Sequence, residues 1–445
     1  MKKIISAILI LTIVFSLCGC SQIENLKNVE LPPLPDVDAQ VTAEPIPTAP
    51  EIDTSESVAE STLPQHVIIN IDKYSEQHYD PQNGEILILD FSYETPRVYI
   101  EGRDEATNAI NEYIATVDET FYTGNDYGVT SKYDIRDGVI SGVNAMLEAA
   151  TDNYSYAAAN GLADLPLEYS AARTTRVERI DSRVLCVVYN TYTYTGGAHG
   201  NSFDRGYAFD AESGEALTLD KLSADSDSFI EFLKDYIHNV YTEDENGYYF
   251  SLVYEDMTDE VAEEAVKALV RDGSWYFNGE GIVFFSSLYE LGSYASGIIK
   301  FTVSYSALEG QMYDKYLLPQ HDTDAGTLEL KAQSDVADGS IEIIDKVTVD
   351  TDGEALCLEA VGTVYDVRLS TVDYTDQFYE TAQLWAVSYM SDCVLQLETL
   401  IPDGMPKLMV SYLDAQGSET CLLLSQSGED GGYILIDKNS IEAVG

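Results

Sequence analysis

Apolar residues recur at helical spacing in four stretches of the chain. The first stretch predicts a helix whose inner face carries Ala106, Ile110, Tyr113, Ile114, Val117 and Phe121. Further helices are predicted near 139–159, over roughly 226–241 and over about 259–271. Ser226 or Asp227 is the expected N-cap of the third helix and Thr258 that of the fourth, with Gly273 ending the fourth as C′.

Between these helices, apolar and polar residues alternate in short runs that predict β-strands. Residues 85–100 indicate two strands interrupted at Thr95-Pro96, and residues 173–180 and 183–194 indicate an antiparallel pair. Further strands are predicted at 205–209, 217–219, 275–277, 282–285 and 298–305. The run around Cys186 is apolar without interruption, so we expect that thiol to be buried in a strand.

From about residue 325 the pattern changes to short alternating segments separated by Gly, Asp and Asn turns. These segments predict strands at 341–349, 356–367, 394–400, 408–413 and 421–424. The predicted fold is therefore α+β, with antiparallel sheets and packed helices in two adjoining domains (66–165 and 166–322), followed by a small mostly-β module of unknown role (323–445). Cys357, Cys393 and Cys421 lie in this module, and one pair of them could oxidise, although the spacing does not say which.

The first twenty residues have the layout of a secretory signal peptide. Lys2 and Lys3 precede an apolar run to Leu17 that is shorter than the ~20 residues of a membrane span. The following Leu17-Cys18-Gly19-Cys20 resembles the bacterial lipobox, which implies signal peptide 1–19 and lipidation of Cys20. The alternative is an ordinary signal peptide with two incidental cysteines. A lipid on Cys20 would hold the protein at the extracytoplasmic face of the cell membrane.

Residues 20–65 are predicted to be a disordered tether. The segment contains seven of the 13 prolines of the chain and no aromatic residue, so it cannot bury enough apolar surface to fold. As a coil it would span about 40 Å and as an extended polyproline helix about 140 Å. Its expected role is to hold the folded part away from the membrane.

The charge balance limits the classes of partner. With 24 basic and 77 acidic residues the net charge is −53, and loss of Lys2 and Lys3 with the signal peptide makes it −55. Nucleic acid is excluded as an expected partner because phosphate binding requires basic patches. A cationic protein would be attracted electrostatically, whereas the alternative is that acidity only keeps a surface protein soluble.

No catalytic, metal or cofactor motif is present in the sequence. The chain has no GxSxG elbow, P-loop or HExxH motif, and its five histidines are scattered. Acids near Asp134 and Asp137 lack the regular spacing of a calcium loop. We therefore predict neither a catalytic centre nor a metal or cofactor site, and with this many carboxylates any acid/base pair would be guesswork.

Two loops are candidate ligand-binding segments. In the first, three glycines in five positions surround His199 and indicate positive φ or close backbone approach. The second, 289–297, is rich in Tyr, Gly and Ser, which suit adaptable recognition. The alternative is that both are tight strand connections and that the histidine merely packs there. The candidate ligand-binding residues are Tyr194, Thr195, Gly196, Gly197, His199, Tyr289 and Tyr294.

These loops carry a family resemblance. The stretches that carry it are Tyr194 to Gly200, the turn from Phe209 to Gly214 with Leu217-Thr218-Leu219, and later Phe277 to Phe285 with 289–297. Together they resemble the extracellular domain of the lysozyme-sensing anti-sigma-V factors (RsiV-like). Phe91 to Pro96 and the helix that follows resemble the non-catalytic domain that precedes the deacetylase in PdaC-type peptidoglycan deacetylases. The resemblance covers about 80–320.

The resemblance implies an extracytoplasmic ligand-binding domain. The chain lacks the sigma-binding segment and transmembrane helix of such an anti-sigma factor, and also the Asp and His triad of the deacetylase. We therefore expect a non-enzymatic, lipid-anchored binding or sensing protein of the cell envelope, with a lysozyme-like protein or peptidoglycan as ligand. A carboxylate-dependent hydrolase of wall glycan and an envelope scaffold protein are the alternatives.

Overall fold

A computed structural model describes residues 65–124, 142–162, 168–244, 246–254, 258–319, 326–336, 341–349, 356–374, 378–398, 408–414, 418–426 and 432–438. The predicted signal peptide, Cys20 and the tether up to residue 64 lie outside these residues, as do Asp134 and Asp137. All the described residues belong to one compact unit, Ser61–Gly445.

The described chain is α+β, as predicted. Its helices are α1 (Asp104–Thr123), α2 (Val143–Ala159), α3 (Ser226–Thr242), α4 (Tyr248–Leu252), α5 (Asp259–Lys267), α6 (Tyr305–Leu308) and α7 (Gln333–Val336). Its strands are β1 (Val67–Tyr79), β2 (Leu87–Ile100), β3 (Tyr169–Ile180), β4 (Val184–Tyr194), β5 (Asn201–Asp210), β6 (Ala216–Leu217), β7 (Trp275–Phe277), β8 (Gly281–Phe285), β9 (Lys300–Ser304), β10 (Thr327–Ala332), β11 (Glu342–Val347), β12 (Leu356–Val361), β13 (Thr363–Tyr374), β14 (Phe378–Ser391), β15 (Cys393–Leu397), β16 (Leu408–Leu413), β17 (Glu419–Gln426) and β18 (Tyr433–Asp437). Short 3₁₀ turns lie at Leu219–Lys221, Tyr294–Ser296 and Asp314–Tyr316.

The strands form three sheets. The largest has eleven strands in the order β18-β17-β16-β13-β14-β1-β2-β3-β4-β5-β6, the second has four in the order β10-β12-β15-β11, and the third has three in the order β7-β8-β9. Neighbouring strands are antiparallel except β2 with β3 and β11 with β15, which run parallel. The eleven-stranded sheet includes strands from all three predicted domains, whose boundaries stay predictions.

The parallel pairing of β2 with β3 explains the position of the first two helices. A chain that joins parallel neighbours must cross from one end of the sheet to the other, and α1 and α2 form part of this crossover. Ala106, Ile110 and Ile114 of α1 pack on the sheet against residues such as Val177 and Phe209. The helical face predicted from spacing is therefore the buried face, except that Tyr113 is exposed.

Strand β4 is buried on both faces because layers cover it from both sides. Leu185 and Val187 face the core beneath α1, whereas Val184, Cys186 and Val188 face the core that contains α3, α5 and the three-stranded sheet. An uninterrupted apolar run is the pattern expected of such a strand. Burial of each of these aliphatic side chains contributes about 1.5–3 kcal/mol, and the prediction of a buried Cys186 is confirmed.

The C-terminal strands pack around Trp385, which is fully buried between the four-stranded sheet and its own sheet. Its indole Nε1 donates a 2.8 Å hydrogen bond to Asp345 Oδ2, so the polar atom of this large side chain is satisfied. Among the described residues, no disulfide joins Cys357, Cys393 or Cys421, so the pairing that the sequence left open is not formed in the structure.

Residues 87–100 form one continuous strand, so the predicted interruption at Thr95-Pro96 is wrong. The N–H of Val98 donates to Asn111 Oδ1 at 2.9 Å, which shows that alternate residues here direct their N–H away from β1. Pro96 lies two residues before Val98, so its nitrogen also faces away from β1. On that side of β2, the pairing with β3 has already ended at Tyr93. The missing N–H of proline therefore costs no strand pairing.

Several predicted boundaries also need correction. The N-cap of α3 is Asp225, which accepts from the backbone N–H of Ser228, rather than Ser226 or Asp227. Helix α5 ends at Lys267, well before Gly273, because the chain turns there through backbone hydrogen bonds. The predicted segment 356–367 is two strands separated at Gly362, whose φ is 76°.

Candidate functional site

The two candidate loops meet in the structure although they lie 90 residues apart in the chain. The first joins the end of β4 to the start of β5, and the second joins β8 to β9. His199 Nε2 lies 3.0 Å from the Tyr289 hydroxyl, and the His199 ring stacks on Tyr294 with centroids 4.1 Å apart and planes 25° apart. We refer to His199, Tyr289 and Tyr294 as the aromatic cluster.

The first loop adopts its shape because of its glycines. Gly196 and Gly197 have φ of 93° and 102°, conformations that other residues rarely adopt. The Tyr194 hydroxyl donates to the Gly197 carbonyl at 3.1 Å and closes the loop. Gly200 lies directly against the Tyr192 ring, where a Cβ would overlap it. Thr195, the remaining candidate of this loop, is exposed at its surface.

The hydrogen bonds of His199 define the tautomer of its neutral ring. Nδ1 lies 3.0 Å from the Gly200 carbonyl oxygen, which can only accept, so Nδ1 carries the proton. Nε2 is then the acceptor for the Tyr289 hydroxyl. Among the described residues His199 bonds no carboxylate, so this arrangement lacks the acid that orients a catalytic histidine.

The second loop is held by a buried ion pair. Glu290 is buried, accepts from Arg271 Nη2 at 2.9 Å and accepts from the Ser287 backbone N–H at 2.7 Å. Tyr289, the preceding residue, has a φ of 65°, which is uncommon for a residue with a side chain. The anchored Glu290 thus supports the backbone that directs the Tyr289 ring towards His199.

Helix α4 and the residues after it support the same loop from the other side. Ser296 Oγ donates to the Leu252 carbonyl at 2.7 Å, and the Tyr254 hydroxyl donates to the Tyr289 carbonyl at 3.4 Å. The exposed rings of Tyr248 and Phe250 lie on this helix. Sequence reasoning missed these residues and Tyr192, although the density of aromatic residues in 248–254 was an available signal.

The aromatic cluster is accessible to a ligand. His199 is exposed, Tyr294 is 40% exposed, and Tyr289 is half-buried. Aromatic rings that are already fixed by stacking and hydrogen bonds lose little conformational entropy on binding. The site can therefore offer rigid aromatic faces and hydroxyl groups to a protein surface or a sugar ring.

In the part of the chain that the structure describes, no group of three or more His, Cys, Asp or Glu side chains could hold a metal ion. No helix in these same residues is long and apolar enough to cross a membrane. The expected absence of metal, cofactor and catalysis stays a prediction.

Comparison with protein families identifies two regions. The family described as "Deacetylase PdaC" matches residues 85–202, and "Protein of unknown function (DUF3298)" matches residues 220–306. The first loop of the aromatic cluster falls in the PdaC region and the second falls in the DUF3298 region. The predicted combination of a PdaC-type domain with a following domain is thus supported. The DUF3298 match lies within the predicted second domain, whose RsiV-like assignment stays a prediction. No curated protein matches the chain.

Solved structures of the DUF3298 family are similar to part of the chain. A family member from Bacteroides fragilis has 17% identity and a TM-score of 0.41, covering 56% of this chain and 94% of the other. A family protein from Pseudomonas aeruginosa PAO1 has 13% identity and a TM-score of 0.34, covering 56% of this chain and 97% of the other.

Proposed function

We propose that the chain is a lipid-anchored extracytoplasmic protein of the bacterial envelope that binds or senses an external ligand through the aromatic cluster. The meeting of two separate loops at His199 is the observation that carries this proposal. Glycines and a strained tyrosine, stabilised by a buried ion pair, position exposed rings there. Loops that hold exposed side chains in uncommon backbone conformations on a rigid scaffold are typical of recognition sites.

The ligand that we favour is a cationic, lysozyme-like protein. The loop sequences resemble the extracellular domain of lysozyme-sensing anti-sigma factors, and the net charge of −53 would attract a basic protein. Exposed tyrosines supply the large amphipathic contacts that often dominate protein interfaces. Because the charge is spread along the chain, we expect it to accelerate association and the aromatic cluster to determine specificity.

Calorimetric titration of hen lysozyme into the full chain in mild detergent tests the proposal. We expect saturable 1:1 binding that weakens with salt, and about a tenfold loss of affinity in Tyr294→Ala, equivalent to about 1.4 kcal/mol. Tyr156→Ala is the matched control, since Tyr156 is exposed on α2 and outside the cluster. Affinity that is equal in both variants would remove the cluster from the interface.

Peptidoglycan fragments form the second arm of the same experiment. Binding of fragments without lysozyme binding, again lost in Tyr294→Ala, would identify wall glycan as the ligand of the same cluster. Turnover of the fragments would instead support a hydrolase. If neither lysozyme nor peptidoglycan fragments bind, the proposed function is contradicted and an envelope scaffold is favoured.

A further inference from the structure

One cavity, separate from the residues of the aromatic cluster, is lined by opposite charges in equal number. Its volume is about 490 Å³, within the range of small-molecule sites. Three basic side chains (Arg103, Arg183, Lys315) and three acidic ones (Asp210, Glu212, Asp314) line it. This balance differs sharply from the chain as a whole, which has 24 basic and 77 acidic residues.

Arg103 is held in place by backbone carbonyls rather than by an acid. Its Nη1 donates to the Ser182 carbonyl at 3.2 Å and to the Ala211 carbonyl at 3.1 Å. These bonds fix the guanidinium plane but neutralise none of its charge. Among the described carboxylates none forms an ion pair with Arg103 or with the exposed Arg183. Both guanidinium groups therefore retain donors that can face a ligand.

The backbone around Arg183 is equally well fixed. Its N–H donates to Asp181 Oδ1 at 2.8 Å, and its carbonyl accepts from the Ala211 N–H at 2.9 Å. The neighbouring turn that carries Asp210 and Glu212 is packed against α1, since a Cβ at Gly214 would overlap the Ala106 backbone. The charged groups thus project from a rigid rim, which reduces the entropy lost on binding.

One of the three possible charge pairs is already formed inside the cavity. Lys315 Nζ donates to Asp210 Oδ2 at 2.8 Å, while Asp210 Oδ1 accepts the backbone N–H groups of Glu212 and Ser213. The side chains of Glu212 and Asp314 are exposed and pair with no described cation. Two positive and two negative groups therefore remain uncompensated around one cavity.

We propose that this cavity binds a small zwitterion, namely a short peptide with a free amino and a free carboxyl group. The carboxylate would lie between Arg103 and Arg183, whose planar guanidinium groups suit bidentate contacts. The ammonium group would lie beside Glu212 and Asp314. A ligand of a single charge would satisfy one pair of groups and be repelled by the other.

Calorimetry with tri-alanine and the full chain in mild detergent tests this site. We expect saturable binding of tri-alanine and at least a tenfold loss of affinity when either its amino group is acetylated or its carboxyl group is amidated. Arg183→Gln should weaken tri-alanine binding by a similar factor, since that guanidinium makes no ion pair within the described chain. Arg97→Gln, the same change on an exposed arginine outside the cavity, should leave the affinity unchanged.

Four results would overturn the proposal. Acetylated tri-alanine that binds as well as the free peptide would show a simple anion site, and amidated peptide that binds equally well would show a simple cation site. No binding of tri-alanine, or equal binding in Arg183→Gln and the unmodified protein, would show that the cavity does not recognise this ligand class. None of these outcomes depends on lysozyme binding at the aromatic cluster.

Discussion

Replacement of Arg179 by Met will break a buried polar link from β3 to α6 and to the residues that follow it. Arg179 is 1% exposed, and its guanidinium donates to Asp181 Oδ2 at 2.7 Å and to the Tyr305 hydroxyl at 2.8 Å. It also donates to the carbonyls of Tyr316 and Leu317 at 2.7 and 3.1 Å. Methionine fills much of the same volume, so the loss is mainly electrostatic.

The magnitude follows from the groups that the substitution leaves without partners. Each buried carbonyl that loses its donor costs about 1–3 kcal/mol, and removal of one partner of a buried ion pair costs about 3–5 kcal/mol in total. An unfolding entropy of about 2.1 cal/mol/K per residue over Ser61–Gly445 amounts to about 0.8 kcal/mol/K. We therefore expect the melting temperature to fall by roughly 5 °C.

Calorimetric melting of the full chain in mild detergent measures this change. The matched control is Arg97→Met, because Arg97 is 73% exposed and its ion pair with Asp72 is open to solvent. Such a pair contributes at most about 1 kcal/mol, so the control should shift melting by about 1 °C. If the two variants melt within a degree of each other, the buried network does not carry the stability assigned to it.

Three further changes have equally definite expectations. Gly206→Ala will lower the melting temperature by several degrees, since its Cβ would overlap a carbonyl of β7, whereas Gly279→Ala, with open space around it, will not. Iodoacetamide at pH 8 will modify the partly exposed Cys421 before Cys186, because burial raises the Cys186 pKa to about 12; mass mapping that finds the reverse order would contradict this burial. Burial alone would raise the pKa of Asp210, but hydrogen bonds and the adjacent lysine charge hold it below its ordinary value. Chemical unfolding should therefore show that Asp210→Asn destabilises the protein at pH 7 and that this difference shrinks as the pH falls below about 4.

Local patterns in the sequence were sufficient where the burial or backbone angle of a residue's own position decides the structure. The spacing of Ile110 and Ile114 identified the buried face of α1, and the unbroken apolar run around Cys186 identified a strand buried on both faces. Positive φ was inferred for the loop before His199 because glycines cluster there. In each case a residue type reports directly on the burial or backbone angle of its own position.

Local patterns failed where contacts with a strand distant in sequence determined the structure. Strand β1 was not predicted because its second half is polar and exposed, and it is a strand through its pairing with β2. Pro96 appeared to interrupt a strand, yet its position lies where no neighbouring strand requires its N–H. Strand pairing depends on the neighbour's position, which short-range propensity does not encode.

The sequence by itself determined the α+β class and the principal helices, and it gave the two candidate loops separately. Only the tertiary structure brought His199 to Tyr289 and Tyr294, and only it gathered Arg103, Arg183 and Lys315 around one cavity. The physical reason is that both sites join residues 80 or more positions apart, which share no periodicity. Their proximity results from the order of strands in the sheets and from the packing of the layers on them.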